Sequence, residues 1–182
     1  MLQFHYIYHA CFTLSDGKTT LLFDPYLEGN PEGLKPGDVA ADVIFISHYH
    51  GDHLGSAYEI AKKQDALIIS TAEIANDAAQ HGLRSHAMHL GGTHQFPFGR
   101  VRVTPAFHGS GIAGGHACGF MVEFGGKTVY FAGDTSVFGD MALLPRLETI
   151  DVALLPIGDN FTMGPKDARL AAELLNVPLV IP

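Results

Sequence analysis

The sequence is poor in cysteine, tryptophan and basic residues and has no long apolar run. These scarcities argue against several common classes of protein. The 182 residues include no tryptophan and two cysteines, Cys11 and Cys118. Two cysteines cannot build a framework of disulfide bridges, and apolar neighbours on both sides are typical of small buried residues. No apolar run approaches the length of a membrane span, and the N-terminus lacks the basic segment of a signal peptide. We therefore expect a cytoplasmic protein that does not act at a membrane.

Positive charge is also scarce. Eleven lysines and arginines stand against 19 aspartates and glutamates, which gives a net charge of −8. This balance argues against non-specific binding to nucleic acid or to anionic lipid. Hydrophobic residues make up 47% of the chain and charged residues 16%, as in a globular protein. The length predicts a single domain over residues 1–182, and homo-oligomerisation is left open.

Histidine, by contrast, is abundant, with 11 residues, and it concentrates in the stretch 48–53, HYHGDH. The apolar run 43–46 before it predicts a buried strand. Ser56 and Glu59 after it have the spacing of a capping box, which predicts a helix over 57–63. The stretch is thus predicted to lie on a strand-to-helix turn, where α/β folds place their sites.

The spacing within this stretch suits metal binding. Imidazole nitrogens and carboxylate oxygens are ligands of zinc and other divalent ions. Residues two apart in extended backbone point the same way, so His48 and His50 are predicted to hold one ion. Asp52 and His53 then face a neighbouring position, where a second ion can bind. The alternative is that these are exposed loop histidines that bind no metal. Four ligand-type residues at this spacing argue against that alternative.

The remaining pattern mixes strands and helices. Turn signals predict hairpins about Asp16-Gly17 and Gly125-Gly126. Periodicity predicts helices over 72–81 and from Pro165 onward, and a strand over 101–107. This pattern alone establishes mixed α and β structure in one domain.

The stretch 48–53 matches the His-x-His-x-Asp-His signature of the metallo-β-lactamase superfamily. Further segments resemble a family of metal-dependent hydrolases related to ascorbate-6-phosphate lactonase; these are 8–12, 24–25, 91–93, 138–141 and 154–165. The resemblance implies an α+β fold, the αββα sandwich, in which two mixed β-sheets pack face to face with helices outside.

The resemblance also implies the other ligands. His108, after the strand 101–107, matches the third histidine of the first site, and Asp134 matches the aspartate that bridges two metals. One ion would be held by His48, His50 and His108, and a second by Asp52, His53 and Asp134. The superfamily's last ligand is a histidine after a final strand. The chain stops at Pro182 without it, so we expect a chain that lacks its C-terminal end.

The function implied by the resemblance is metal-dependent hydrolysis. Two divalent ions are expected, with zinc as first choice and manganese, iron or nickel as alternatives. A metal-activated water would cleave a carboxylic ester, lactone or related bond in a small molecule. Asp52 would be catalytic, orienting the water and carrying its proton. The alternatives are a phosphodiesterase or nuclease of the same fold, and a metal-binding module without catalysis.

Three further features of the sequence are weaker indications of function. Residues 109–114 match the dinucleotide pattern G-x-G-x-x-G, but a strand-like segment follows where a helix is required. A mobile glycine-rich loop over the metals explains this segment better than a dinucleotide site does. His116 lies on that loop and is predicted either to contact substrate or to be solvated. His9, at the end of the first strand, is predicted to support the ligands by hydrogen bonding or to contact substrate; a core histidine is the alternative.

Overall fold

The structure, a computed structural model, describes residues 1–182. The chain forms two compact units, each with its own six-stranded sheet. Unit 1 comprises Met1–His89 and Ser110–His116, and unit 2 comprises Leu90–Gly109 and Ala117–Pro182. Both sheets mix parallel and antiparallel pairs, so the prediction of two mixed sheets is confirmed.

The sheet of unit 1 runs in chain order, with two antiparallel pairs followed by three parallel pairs. Its strands are β1 (Gln3–Tyr8), β2 (Cys11–Ser15), β3 (Thr20–Phe23), β4 (Val43–Phe45), β5 (Leu67–Thr71) and β6 (Ser85–Met88). Every residue of β4 is buried, as expected for a central strand covered on both faces. The carboxyl ends of β3 and β4 lie side by side because these strands are parallel neighbours.

Three helices belong to unit 1: α1 (Gly51–Leu54), α2 (Ala57–Gln64) and α3 (Ala72–Gln80). The predicted capping box before α2 is wrong. Ser56 makes no side-chain cap bond, and Glu59 pairs with Lys63 at 2.7 Å instead. The reason is that α1 leads almost directly into α2, so Ser56 has φ −92° and ψ 12° rather than the extended backbone of a capping residue.

The sheet of unit 2 has the order β12-β11-β10-β9-β8-β7. Its strands are β7 (Thr93–Phe96), β8 (Gly99–Pro105), β9 (Cys118–Phe124), β10 (Lys127–Phe131), β11 (Val152–Leu154) and β12 (Val180–Ile181); a 3₁₀ helix (Gly139–Leu143), α4 (Leu144–Leu147) and α5 (Pro165–Leu175) complete the unit. No helix of the chain combines the length and the apolar character needed to span a membrane.

The strand before His108 is shorter than predicted. It ends at Pro105 rather than at residue 107, since proline has no N–H to continue a ladder. His108 therefore lies on the segment that follows β8. Both predicted hairpins are present, β2–β3 about Asp16-Gly17 and β9–β10 about Gly125-Gly126.

Cys11 on β2 yields a test of the packing in unit 1. It is a free, fully buried thiol whose pKa is raised to about 12, chiefly by burial and further by the negative charge of Asp24. Because the thiolate is the reactive form, we expect native protein at pH 8 to leave Cys11 unlabelled by Ellman's reagent. Denatured protein should be labelled there. Rapid labelling of native Cys11, located by peptide mass, would show that β2 is not packed as described.

Candidate metal centre

The buried carboxylate of Asp24, directly after β3, collects three hydrogen bonds. Its Oδ1 accepts the backbone N–H of Ser47 at 2.7 Å. Its Oδ2 accepts the hydroxyl of Ser47 at 2.5 Å and Nδ1–H of His53 at 2.7 Å. Asp24, Ser47 and His53 are all fully buried. These donors satisfy a carboxylate that is shielded from water, and the carboxylate links the end of β3 to the His-rich stretch.

This network determines which nitrogen of each ring carries the proton. An ionised carboxylate only accepts, so both Nδ1 of His53 and the hydroxyl of Ser47 donate to Asp24. The Ser47 oxygen, having given its own proton, accepts Nδ1–H of His48 at 2.9 Å. Both neutral rings therefore carry a lone pair on Nε2, which is the form that a metal ligand needs.

His48 and His50 converge, as their spacing predicted. Nδ1 of His50 lies 2.9 Å from Nε2 of His48, and the two rings meet edge to face at 81°. With Nε2 of His48 as acceptor, His50 donates through Nδ1. Two imidazole nitrogens aimed at one point fit a divalent ion, which would bind His48 through Nε2 and His50 through Nδ1 in place of the shared proton.

The glycine-rich segment packs against this pair. Tyr49 N–H donates to the Ser110 carbonyl at 2.7 Å. Gly111 has φ +73°, and a Cβ there would lie 2.9 Å from the backbone nitrogen of His50. Only glycine allows that approach. The next regular element is the strand β9, so the segment 109–114 lacks the helix that a dinucleotide site of this pattern requires.

A second set of ligand atoms lies on α1 and on the β1–β2 turn. His9, Asp52 and His53 each bring one ligand atom to within 4.8 Å of the others. Nε2 of His9 lies 3.4 Å from Oδ2 of Asp52. His9 has φ +53° at its turn, a costly conformation for a non-glycine residue and one found often at functional sites. Asp24 lies within the same range of His48 and His53, but both its oxygens already accept hydrogen bonds.

In unit 2 the predicted ligands His108 and Asp134 approach each other, with Nε2 of His108 3.6 Å from Oδ2 of Asp134. Buried Thr135 ties their segments together. Its hydroxyl accepts the N–H of Phe107 at 3.0 Å, and its carbonyl accepts the N–H of Met163 at 3.0 Å. The hydroxyl in turn donates to the Ser136 carbonyl at 2.8 Å.

His116, on the glycine-rich segment, belongs to unit 1. It is exposed, and its ring centroid is 5.5 Å from that of His89. The residues that sequence reasoning missed are Asp24, Ser47 and Thr135. One signal was available: Asp24 and Ser47 are polar residues placed directly at the ends of apolar strands, where burial demands a partner.

Comparison with known proteins identifies the family. The sequence family described as "Beta-lactamase superfamily domain" matches residues 19–182. A UPF0173 metal-dependent hydrolase of Natranaerobius thermophilus is 53% identical over 100% of this chain and 82% of its own length. The chain belongs to the metallo-β-lactamase superfamily. Within that superfamily, a relative of the same description from Pelotomaculum thermopropionicum is 46% identical over 96% of this chain and 80% of its own length.

Solved structures agree with this membership. A metallo hydrolase of the archaeon Ignicoccus hospitalis superposes with a TM-score of 0.92 at 32% identity, covering 100% of this chain and 81% of that one. The predicted family and the metallo-β-lactamase-like α+β fold are confirmed. The protein is a metal-dependent hydrolase of this superfamily.

The Asp24 network leads to a prediction about metal affinity. Asp24→Asn replaces an acceptor oxygen by an NH₂ donor, so one of the three donors loses its partner and the ring tautomers are no longer fixed. We expect metal affinity to fall by about 10- to 100-fold, as for other supporting groups of metal ligands. Calorimetric titration with zinc measures it.

Asp42→Asn is the matched control, because Asp42 also accepts a backbone N–H, that of Thr20 at 2.7 Å, but on an exposed face of unit 1. It should bind zinc as the unsubstituted protein does. Equal affinities in the Asp24 and Asp42 variants would show that Asp24 does not prepare the histidines for metal.

Proposed function

We propose that the protein hydrolyses a carboxylic ester, lactone or related bond of a small molecule at a centre of two metal ions. The first ion is held by His48, His50 and His108, and the second by Asp52, His53 and Asp134. The observation that supports this most is the buried Asp24–Ser47 network, which leaves Nε2 of His48 and of His53 free of a proton.

The donor set favours zinc. Imidazole nitrogens with carboxylate oxygens are its usual ligands, and manganese, iron and nickel accept the same atoms. When bound, such ions supply a water whose pKa is lowered towards about 7 and a Lewis acid for the attacked carbonyl. The abundant negative charge of the chain, a net −8, favours a small substrate over a polyanion.

Asp52 is the proposed catalytic residue. Its carboxylate is exposed, whereas the imidazole of His53 beside it is buried. Oδ2 of Asp52 would accept a proton from the attacking water and return it to the leaving group. His9, with Nε2 3.4 Å from Oδ2, would orient that oxygen. One water is consumed, and a carboxylic acid and a hydroxyl group form, in two molecules from an ester and in one molecule from a lactone.

We also propose that the enzyme acts in the cytoplasm. The support is that Cys11 is a free, buried thiol, as is usual where thiols stay reduced.

Removing the first pair of ligands should remove metal. In His48→Ala/His50→Ala only one protein ligand of the first site would remain, so we expect the metal content per chain to fall by one equivalent. Elemental analysis of the purified protein measures it. His81→Ala/His94→Ala, which removes two exposed imidazoles elsewhere, is the control. Unchanged metal in the first variant would refute the assignment.

The reaction itself is tested with zinc-loaded protein on a panel of small esters, lactones and phosphodiesters. We expect turnover of esters or lactones, abolished in His48→Ala/His50→Ala and retained in His81→Ala/His94→Ala. Turnover of phosphodiesters alone would replace this proposal by a phosphodiesterase. Metal binding without turnover of any class would indicate a non-catalytic metal-binding module.

A further inference from the structure

Two tyrosines form a small aromatic surface in unit 1. Tyr8 is the last residue of β1, and Tyr26 follows Asp24 by two residues. Their rings stack with centroids 6.2 Å apart and planes 25° from parallel. Tyr8 is 36% exposed, and Tyr26 is partly exposed. Stacked aromatic faces open to solvent are suited to bind a further planar ring.

This surface continues into the candidate metal centre through His9. The ring of His9 meets Tyr26 edge-on at 5.9 Å and 74°. It also meets the buried ring of His53 at 5.2 Å and 65°. A group lying on the two tyrosines would therefore have its neighbouring atoms beside His9, Asp52 and His53.

The backbone holds Tyr26 firmly in this place. Its N–H donates to the carbonyl of Asp24 at 2.7 Å. Asp24 has φ +37° and is fixed by its own buried carboxylate. A Cβ on Gly55 would come within 2.7 Å of the Cα of Tyr26, so the chain after α1 packs directly on this segment. A rigid aromatic surface loses little entropy on binding.

The charge around the tyrosines is negative. Burial is the largest cause that raises the pKa of the Tyr26 phenol. The negative charges of Glu28 and Asp52 raise it further. Aromatic faces carry negative charge density themselves. An anionic group would be repelled at such a surface, whereas neutral or positively charged rings would be accepted. Metal at Asp52 would offset that carboxylate but not Glu28.

We propose that Tyr8, Tyr26 and His9 form a subsite for a planar aromatic group without negative charge, located next to the scissile bond of the substrate. Hydrolysis next to this subsite rests on the function proposed above, whereas binding of an aromatic ring to the tyrosines does not. The proposal narrows the substrate class to aryl or arylalkyl esters, lactones or related compounds.

The test compares phenyl acetate with methyl acetate in zinc-loaded Tyr26→Leu and Tyr8→Leu. Leucine keeps apolar bulk but cannot stack. We expect the ratio of kcat/KM for phenyl over methyl acetate to fall about three- to tenfold, through KM for the phenyl ester. Tyr26→Phe should restore the ratio. Tyr6→Leu, an exposed tyrosine earlier on β1, is the control and should leave it unchanged.

Two further measurements test the subsite independently: the effect of a negative charge on the substrate ring, and binding of a ring without turnover. The unsubstituted enzyme should prefer phenyl acetate to 4-carboxyphenyl acetate. In metal-free protein, saturation-transfer NMR should detect benzamide, and the signal should be lost in Tyr8→Leu/Tyr26→Leu. Ester turnover with an unaltered phenyl-to-methyl ratio in both leucine variants would overturn the subsite. Absence of turnover with benzamide binding that depends on the tyrosines would instead overturn the hydrolytic function and keep the subsite.

Discussion

Three hydrogen bonds to one buried carboxylate organise the candidate centre. Asp24 accepts from the backbone and the hydroxyl of Ser47 and from the ring of His53, and Ser47 passes the constraint on to His48. Breaking any of these would leave a buried polar group unpaired, which costs about 1–3 kcal/mol. The arrangement therefore stabilises the strand ends of unit 1 and at the same time selects one tautomer in each histidine.

Strained backbone accompanies this network. His9 and Asp24 both have positive φ without being glycine. Such conformations persist where surrounding contacts determine them. Here the contacts are those of the site: His9 faces Asp52 and His53, and Asp24 holds His53 and Ser47. Backbone that is costly for folding thus places the groups that, as proposed, bind metal and substrate.

The sequence could predict the parts of this site that are local. The stretch 48–53 contains its donors within six residues, and the spacing of His48 and His50 by two was enough to predict that their rings converge. The mixed sheets followed from apolar runs and turn signals. The family resemblance supplied His108 and Asp134, which no periodicity could have linked to each other.

The rest depends on contacts between distant residues. Asp24 meets Ser47 and His53 across 23 and 29 positions of sequence, and Thr135 meets Phe107 across 28. Local pattern cannot detect such pairs. The capping box failed for a related reason: α1 has four residues, too few to show a helical period, yet it changes the backbone at Ser56.

We infer that the Asp24 network presents His48 and His53 to a metal ion through Nε2. Crystals of the zinc-loaded protein, measured on both sides of the zinc absorption edge, test it most directly. We expect one anomalous peak about 2.0–2.1 Å from Nε2 of His48 and from Nδ1 of His50, and another at that distance from Nε2 of His53. Zinc bound through Nδ1 of His48 or His53, or peaks remote from these rings, would contradict it.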